Sequence, residues 1–395
     1  MTFIVSRYWP ATGGVESHMR SVVNDLASRH DVTVLAYATD ESLPGRLTTS
    51  LRPGPTFQPF DDGAARVEPV TLTRRQRARL IPQALQVLPG TARLAYGRLR
   101  APLAAQYARA VGPILAERVS ETDVVHVWSA DLVGAAAVRA ARLLRRPSVI
   151  TPFVHPGQWG EDPGSVRTYR RADRVVALLG TERDAYVRLG VRPDRVAVSG
   201  VCSPGIVLGG GAAIRERHRI SGPLVLFLGV RRSYKGHDVL LAAAPRVAEA
   251  CPGTTFAFVG PGDPIEPDGH GARVIDAGRV SDEERAAWLD AADVFCLPSA
   301  HEIFPVSILE AWSAHTAVVV SELPPLVELM ARSYGGVTVP RTADAFARTL
   351  VDVLRDDARR DRLAAAGHRF WIAEATPQAV ARRHEQIYEE LLSAP

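Results

Sequence analysis

Long apolar runs, a leader segment and a cysteine framework are all missing from this 395-residue sequence. No stretch of about 18 consecutive apolar residues occurs, which argues against a transmembrane helix. The chain opens directly on the strand-like residues 2–5, without a basic segment and an apolar core, so we expect no signal peptide. The 3 cysteines, Cys202, Cys251 and Cys296, are scattered and odd in number. They predict reduced thiols in a cytoplasmic protein, not a disulfide framework or a metal site.

The glycine fingerprint of nicotinamide-dependent enzymes, G-x-G-x-x-G followed by an acidic residue, is also missing. That fingerprint lets the backbone approach a dinucleotide pyrophosphate, while the acidic residue binds the ribose. Its absence argues against an ordinary NAD-dependent oxidoreductase. The net charge of +4 is modest for this length, and no nucleic-acid-binding motif accompanies it. We therefore expect no nucleic-acid partner.

Acidic residues are missing from residues 71–100, where arginines and aliphatic residues interleave. One interpretation is a basic amphipathic region that lies on anionic lipid at the inner face of the membrane. An Arg-rich solvated helix face, or a site for an anionic acceptor, accounts for the same pattern. The sequence leaves these interpretations open. The arginines concerned are Arg74, Arg75, Arg77, Arg79, Arg93, Arg98 and Arg100.

The length predicts two domains of roughly 200 residues each. Short apolar runs alternate with amphipathic segments along most of the chain, as in doubly wound α/β domains. A Gly-rich and then charged stretch separates the two halves and indicates an interdomain linker. The predicted boundaries are 1–204 for the first domain, 205–222 for the linker, 223–375 for the second domain and 376–395 for a final helix.

Residues 292–328 are the stretch around which the second half is organised. An apolar strand is followed by a polar loop, which turns through Phe304 and Pro305 into an apolar helix, and a further strand follows. Such a unit places the loop and the helix N-terminus at the carboxyl end of a parallel sheet, where open α/β folds bind ligands. The predicted elements are a strand over 293–298, a helix over 307–313 and a strand over 317–320.

Two carboxylates mark this unit. Glu302 lies in the loop, and Glu310, eight positions later, lies about one turn inside the helix. Between them, the free N–H groups of Val306, Ser307 and the next two residues are suited to a phosphate. A ligand with an anionic centre and hydroxyls on both sides fits this arrangement. A sugar nucleotide is such a ligand.

Cations follow the first strand of the second half. Arg231, Arg232 and Lys235 come directly after the apolar residues 223–229. Cations at this position suit a pyrophosphate, because they offset the charge that develops on a leaving group. We therefore expect them to face the same ligand as the two carboxylates.

The first half offers two further candidate elements. Gly13 and Gly14 lie between the first strand and an amphipathic helix, where paired glycines let the backbone approach a ligand closely. His155 follows a strand in a loop bounded by proline and glycine, at the end where ligands bind, so we expect it to bind sugar hydroxyls. His126 lies within a strand and is expected to be a core residue.

These motifs resemble the retaining glycosyltransferases of family 4, which have the GT-B fold. Glu302 and Glu310 match the E-x7-E signature of that family. The Gly-Gly-Val-Glu segment from Gly13 and the Lys-Gly pair at Lys235 match two further motifs. The sequence departs from the family pattern at three points: Pro305 replaces the usual glycine, Arg231 lies one residue later than the commonest spacing, and His315-Thr316-Ala317 replaces Gly-x-Pro.

The resemblance implies roles for individual residues. Glu302 would contact the donor sugar near the reacting centre, and Glu310 would bind the ribose hydroxyls of the nucleotide. Lys235 and an arginine would stabilise the departing diphosphate, with Arg231 as the first candidate and Arg232 as its replacement. The implied catalytic residues are Glu302, Lys235, Arg231 and His155, and the implied donor-binding residues are Gly13, Gly14, Arg232, Gly278, Arg279, Val280, Phe304, Pro305, Val306, Ser307 and Glu310.

The resemblance also implies a fold and a reaction. The fold would be α/β, with two facing Rossmann-like domains, a cleft between them and a C-terminal helix that crosses back to the first domain. The reaction would move a hexosyl unit from an NDP-sugar to an acceptor hydroxyl with retention at the anomeric carbon, without a metal or a cofactor. The acceptor is left open among a lipid-linked sugar, a small metabolite and a natural-product aglycone. A non-hydrolysing sugar-nucleotide epimerase and a non-catalytic sugar-nucleotide-binding subunit are the alternatives.

Overall fold

A computed structural model describes residues 1–11, 13–39, 57–78, 100–128, 130–266 and 271–393. They form two compact units. Unit 1 comprises Met1–Gly200 and Pro377–Pro395, and unit 2 comprises Val201–Thr376. Each unit is built on one mainly parallel sheet with helical connections, so the predicted doubly wound α/β class is confirmed.

The sheet of unit 1 has the strand order β3-β4-β2-β1-β5-β6-β7-β8 among the described residues. All neighbouring pairs are parallel except β3 and β4, which form an antiparallel edge. Strand β1 lies in the middle of this order, and its residues Phe3, Ile4 and Val5 accordingly have no exposed surface. The strands are β1 Thr2–Arg7, β2 Thr33–Ala38, β3 Phe60–Asp62, β4 Ala65–Pro69, β5 Val125–Trp128, β6 Ser148–Ile150, β7 Arg174–Ala177 and β8 Val196–Val198.

The helices of unit 1 connect these strands in the order expected for a doubly wound sheet. Helix α1 begins at Gly14, directly after the paired glycines, and buries an apolar stripe that includes Met19, Val22 and Leu26. The helices are α1 Gly14–Ala27, α2 Arg74–Ala78, α3 Arg100–Ser120, α4 Leu132–Leu143, α5 Pro163–Tyr169 and α6 Gly180–Arg188. A short 3₁₀ turn, Pro193–Arg195, leads into β8.

The final helix, Pro377–Ser393, packs on unit 1 although it follows unit 2 in the sequence. It contacts α1, and its buried Tyr388 shares a hydrogen bond of 2.6 Å with His126 Nδ1 on β5. The other imidazole nitrogen, Nε2, lies 2.8 Å from the Thr151 hydroxyl. His126 is therefore the core residue that the sequence predicted.

Three buried histidines meet where this helix covers the sheet. His384 lies 5.4 Å from His126 between ring centroids and stacks on Trp128 at 5.9 Å, and His18 packs against the same tryptophan at 5.1 Å. Burial lowers the pKa of His18 to about 3 and that of His384 to about 4, and it lowers the pKa of His126 well below its usual value. Burial also raises the pKa of Glu182, in the same unit, to about 7.

These shifts predict that unit 1 loses stability in mild acid. Unfolded histidines take up protons near pH 6.5 whereas the folded ones do not, so the free energy of unfolding falls as the pH drops from 6.5 towards 4. Between about pH 7 and 4.5 the folded state holds one proton on Glu182 that the unfolded state lacks, and this opposes the effect of the three histidines. The unfolded state therefore binds about two protons more than the folded state. We expect His384→Phe to reduce the slope of the free energy of unfolding against pH by about 1.4 kcal/mol per pH unit.

Urea unfolding, followed by tryptophan fluorescence at pH 7, 6 and 5, measures this slope. The control is the same substitution at His301, an exposed histidine of unit 2. An unchanged slope in His384→Phe, or an equal change in the control, would contradict the assignment of acid sensitivity to the buried cluster.

The sheet of unit 2 has the order β11-β10-β9-β12-β13-β14 among the described residues, and all of its neighbouring pairs are parallel. Its strands are β9 Leu224–Leu228, β10 Thr255–Val259, β11 Arg273–Gly278, β12 Val294–Leu297, β13 Ala317–Ser321 and β14 Gly336–Val339. Its helices are α7 Gly211–Arg217, α8 His237–Ala250, α9 Asp282–Ala291, α10 Val306–Ser313, α11 Pro324–Ser333, α12 Ala343–Arg355 and α13 Asp357–Glu374. The final helix of unit 1, Pro377–Ser393, is α14. The predicted strand–loop–helix–strand over 292–328 is present as β12, α10 and β13.

Residues 205–222 differ from the linker that the glycine-rich composition predicts. Helix α7 packs against α9 within unit 2. Asp290 accepts hydrogen bonds from the backbone N–H groups of Gly209 and Gly211, and Arg215 forms an ion pair of 2.6 Å with Asp293. These contacts cannot be foreseen from composition, because the partners lie about 80 positions away in the sequence.

The basic segment over 71–100 is described only in part. Its first arginines lie in α2, and α3 begins at Arg100, whereas Arg79, Arg93 and Arg98 lie outside the described residues. Within the described ranges, no helix combines the length and apolarity needed to cross a membrane.

Candidate active site

Two loops of unit 2 meet at the carboxyl edge of the sheet. One is the 3₁₀ turn Ser233–Lys235 after β9, and the other comprises residues 298–305 after β12. Strands β9 and β12 are neighbours, so their following loops lie side by side. The Ala300 N–H donates to the Tyr234 carbonyl at 2.6 Å and joins the two loops directly.

Lys235 and Glu302 form an ion pair between these loops. The Lys235 Nζ lies 2.6 Å from Glu302 Oε1, and the buried Ser299 hydroxyl donates to the same oxygen at 2.7 Å. The side chains are only 20% and 8% exposed, so water screens the pair weakly. Lys235 is also the one lysine among the 47 lysine and arginine residues of the sequence. The structure therefore brings together the cation and the carboxylate that the sequence motifs singled out separately.

The N-terminus of α10 follows the same loop. The buried Pro305 is its N-cap and has no N–H, and no side chain caps this end. The first N–H groups of the helix, at Val306 and Ser307, have no intrahelical acceptor, and the positive end of the helix dipole lies there. Phe304 is half-buried just before the cap. This end of the helix is suited to an anion.

Glu310 lies one turn further along α10, and its carboxylate is paired with Arg285 of α9. Its side chain is 13% exposed. Burial lowers the pKa of Arg285, but the carboxylates of Glu310 and, to a smaller extent, Asp282 together outweigh this, and the net pKa is raised. Sequence reasoning missed Arg285, since it lies 25 positions before its partner on a different helix.

Arg231 is placed differently from the diphosphate-facing role expected of it. Its side chain is 3% exposed and is paired with Asp276 of β11, and it also donates to the Gly262 carbonyl at 3.2 Å. The pKa of Asp276 is lowered: burial works against this, but the N–H groups of Ile265 and Gly278 and the Arg231 guanidinium prevail. A guanidinium enclosed in this way links the loops after β9 and β10. Arg232, the replacement that the sequence offered, is exposed beside it.

The loop after β11 contains the remaining candidates of unit 2. Gly278 adopts a φ of 62°, which favours glycine, and its carbonyl accepts from the Gly260 N–H at 2.7 Å. Arg279 is exposed and Val280 is half-buried. All three lie at the carboxyl edge of the same sheet, two strands away from β9.

Unit 1 holds its own candidates at the carboxyl ends of β1 and β6. Gly13 precedes α1, and a Cβ atom there would lie 2.2 Å from the Glu16 carboxylate, so a larger residue would have to displace the Glu16 side chain. Glu16 is in turn paired with Arg7 at 2.6 Å. Gly14 is the first residue of α1. A glycine at position 13 therefore leaves room for the ion pair between Arg7 and Glu16.

His155 lies in a tight hairpin after β6. It forms an isolated antiparallel bridge with Trp159, and the two rings lie 4.9 Å apart. Its Nδ1 is 3.2 Å from the Phe153 carbonyl, and Trp159 is 44% exposed. Sequence reasoning did not single out Trp159, although an aromatic residue four positions after a candidate histidine in a Gly-Pro loop is a usable signal. Among the described residues, no group of three His, Cys, Asp or Glu side chains is arranged to hold a metal ion.

Two family models match the larger part of each unit. Residues 12–199 match the model described as Glycosyltransferase Family 4, and residues 222–356 match the model described as Glycosyl transferases group 1. The first model lies within unit 1 and the second within unit 2.

Similar curated proteins include glycosyltransferases of several kinds. The chain is 35% identical to the phosphatidyl-myo-inositol mannosyltransferase of Mycobacterium tuberculosis over 168 residues, 40% of this chain and 44% of that protein. It therefore spans less than half the length of this relative. It is 29% identical to the glycogen synthase of the same organism, over 69% of this chain and 70% of that protein. The lipopolysaccharide core biosynthesis glycosyltransferase LpsE of Rhizobium meliloti is 27% identical over 69% of this chain and 92% of its own.

Solved structures support the fold. The Anabaena protein Alr3699/HepE, solved in complex with UDP, superposes with a TM-score of 0.72 at 17% identity and full coverage of both chains. A sucrose-phosphate synthase from Thermosynechococcus elongatus gives a TM-score of 0.70 at 20% identity, over 100% of this chain and 99% of its own. The predicted GT-B fold is confirmed by these neighbours.

Proposed function

We propose that the chain is a retaining hexosyltransferase of the family 4 type, because both of its family-model matches are to glycosyltransferase models and its fold is GT-B. The donor is an NDP-sugar bound by unit 2, and the acceptor is an alcohol bound by unit 1. The observation that carries the proposal is the Lys235–Glu302 ion pair beside the uncapped N-terminus of α10. At one edge of the sheet, the cation and the free N–H groups can bind a diphosphate, and the carboxylate can accept hydrogen bonds from sugar hydroxyls.

The proposed reaction takes place on one face of the donor sugar. The bond between the anomeric carbon and the diphosphate oxygen breaks, and the acceptor oxygen bonds to the same carbon from the same side. The acceptor proton passes to the departing diphosphate oxygen, so atoms and charge balance without a nucleophile from the protein. Lys235, Arg232 and the N–H groups of Val306 and Ser307 stabilise the negative charge that develops on the diphosphate.

The remaining candidates hold the substrates. Glu302 accepts a hydrogen bond from a donor-sugar hydroxyl while it orients Lys235, and Glu310 accepts from the ribose hydroxyls. Gly278, Arg279 and Val280 line the base through their backbone. In unit 1, the loop at Gly13 and Gly14 and the side chain of His155 remain the candidates for contact with the substrates. Phe304 and Pro305 shape the loop between the sugar and the phosphate. Arg231, which is paired with Asp276, supports this site by linking the loops after β9 and β10.

The donor and acceptor are proposed from the relatives. HepE has been solved with UDP and with UDP-glucose, which places UDP-sugars first among the donors to test. The mannosyltransferase and LpsE are named for phosphatidylinositol and lipopolysaccharide core. These names favour a lipid-linked acceptor at the inner face of a membrane, where the arginines of residues 74–100 would contact anionic lipid. No metal enters the proposed chemistry, because the cation and the helix end supply the charge.

We expect one nucleotide series to raise the melting temperature of the purified protein. UDP-, GDP-, ADP- and dTDP-sugars are compared with NAD, in the presence of EDTA. A ligand at about 100 times its dissociation constant stabilises the folded state by about 2.7 kcal/mol. The active series is then supplied with candidate acceptors, and NMR of the product gives the anomeric configuration. No shift with any sugar nucleotide would contradict the donor site, inversion at the anomeric carbon would contradict the retaining mechanism, and a strict need for added metal would contradict metal independence.

A further inference from the structure

Arg341 makes two hydrogen bonds that bridge the loop of Lys235 and the loop of Glu302 in unit 2. It follows β14, the edge strand of the sheet, and its guanidinium reaches past the end of β13. Its Nε donates to the Pro298 carbonyl at 2.8 Å, and its Nη2 donates to the Ser233 carbonyl at 2.9 Å. Asp238 Oδ1 lies 4.0 Å from the same Nη2. One planar cation thus contacts two loops that arise from two other strands.

These two carbonyls belong to the loops that carry Lys235 and Glu302. Ser233 opens the 3₁₀ turn that ends at Lys235. Pro298 immediately precedes Ser299, whose hydroxyl donates to Glu302. Arg341 therefore holds the backbone on both sides of the ion pair without contacting either charged group of the pair.

The two loops pack closely against each other. Gly236 adopts a φ of 78°, and a Cβ atom there would lie 1.9 Å from the Pro298 carbonyl oxygen. The two backbones are therefore in direct contact beside the carbonyl that Arg341 binds. A guanidinium presents several N–H donors in a fixed plane, so it can set the angle between two carbonyls, which a single ammonium group cannot do.

We propose that Arg341 is a positioning residue that fixes the Lys235 loop against the Glu302 loop for transfer. The inference rests on the proposed function of this site. Arg341 acts through the two loops and makes no contact with the donor, so its loss mainly affects the geometry of the reacting groups. A misplacement of about 1 Å at a reacting centre can cost about 100-fold in rate.

The first test separates kcat from the donor KM. We expect Arg341→Ala to lower kcat by about 10- to 100-fold and to change the donor KM by less than about threefold. Arg341→Lys should restore only part of the rate, because it cannot donate to both carbonyls in one plane. The matched control is Arg355→Ala, since Arg355 also donates to a backbone carbonyl of unit 2, that of Ala250 at 2.5 Å. The control should keep the wild-type kcat.

Several outcomes would overturn the proposal. A kcat within about threefold of wild type in Arg341→Ala, or equal losses in Arg341→Ala and Arg355→Ala, removes the positioning role. A wild-type kcat in Arg341→Lys would show that the two N–H donors of the planar guanidinium are not required. If Arg341→Ala does not fold, Arg341→Gln and Arg341→Lys are compared at a melting temperature close to that of wild type, and the same criteria apply.

A second test does not depend on transferase activity. Pyridoxal phosphate followed by borohydride labels amines, and Lys235 is the one lysine of the sequence, so peptide mapping isolates its labelling rate. We expect this rate to differ at least threefold between Arg341→Ala and wild type, and to be unchanged in Arg355→Ala. An unchanged rate in Arg341→Ala overturns the inference. Failure of every nucleoside diphosphate to protect Lys235 in the wild-type protein would instead count against the proposed function, so the two failures are distinguishable.

Discussion

Replacing Lys235 with alanine is expected to lower kcat by about 100- to 1,000-fold, while the donor KM changes much less. Removal of one preorganised charge-stabilising group costs this much in other enzymes, because the charge develops only as the leaving group departs. Lys235 lies 2.6 Å from Glu302 and beside the N-terminus of α10, so it is placed to act on the departing diphosphate. Steady-state kinetics with the identified donor at saturating acceptor measure both constants.

In Lys235→Ala the carboxylate of Glu302 remains without its cation, and the control must account for this. Glu302 is only 8% exposed, so an unpaired charge there also destabilises the fold. Lys235→Arg keeps the charge and should lose less activity than Lys235→Ala at similar stability. Arg246→Ala, which breaks an exposed ion pair with Asp344 in the same unit, should have no effect on kcat. If Lys235→Ala kept more than about a third of the wild-type kcat, Lys235 would not stabilise the leaving group.

The second large effect is expected at Glu310 and should appear in donor binding. A hydrogen bond to a charged group contributes about 1.5–3 kcal/mol, which corresponds to about a 10- to 100-fold change in affinity. We therefore expect Glu310→Ala to raise the dissociation constant of the nucleotide by this factor, with a smaller change in kcat. Isothermal titration with the free nucleoside diphosphate measures the affinity without the chemical step.

Arg285 provides the comparison that tests this assignment. In Glu310→Ala the Arg285 cation loses its partner, so part of any loss of affinity could come from a displaced guanidinium. The double variant Glu310→Ala/Arg285→Leu removes that source and should still bind weakly. Glu284→Ala breaks an exposed pair with Arg217 and serves as the control. Affinity that recovers in the double variant would show that Arg285, and not the ribose contact of Glu310, determines binding.

Much of the fold could be predicted because it depends on local patterns. The buried strand Val294–Leu297 and the helix Val306–Ser313 are continuous apolar segments between polar loops, and both were predicted to within a residue or two. The roles of Lys235 and Glu302 came from motifs on separate strands. That the two side chains form one ion pair required the knowledge that β9 and β12 are neighbours, which local spacing does not contain.

The residues that support the site were missed for the same reason. Arg341 lies 43 positions from Pro298 and 108 from Ser233, and Asp276 lies 45 from Arg231. Whether an arginine after a strand faces a ligand or turns inward is decided by a partner elsewhere in the chain. Arg231 and Arg232 are adjacent in the sequence, yet one is enclosed by Asp276 and the other is exposed. A cation directly after a strand at the ligand-binding edge, as at Arg341, is nevertheless a signal that could have been used.

The return of the last helix to unit 1 has a consequence for synthesis on the ribosome. Residues 201–376 are contiguous, so unit 2 can complete its fold as soon as it has emerged from the exit tunnel. The sheet of unit 1 emerges first, but the surface around His126 stays uncovered until Pro377–Ser393 has been made. For the time needed to translate about 176 residues, roughly 9–35 s at 5–20 residues per second, the nascent N-terminal unit exposes apolar surface. Unit 1 is therefore synthesised first but completed last. Dependence on chaperones and sensitivity to C-terminal truncation should be concentrated in this unit.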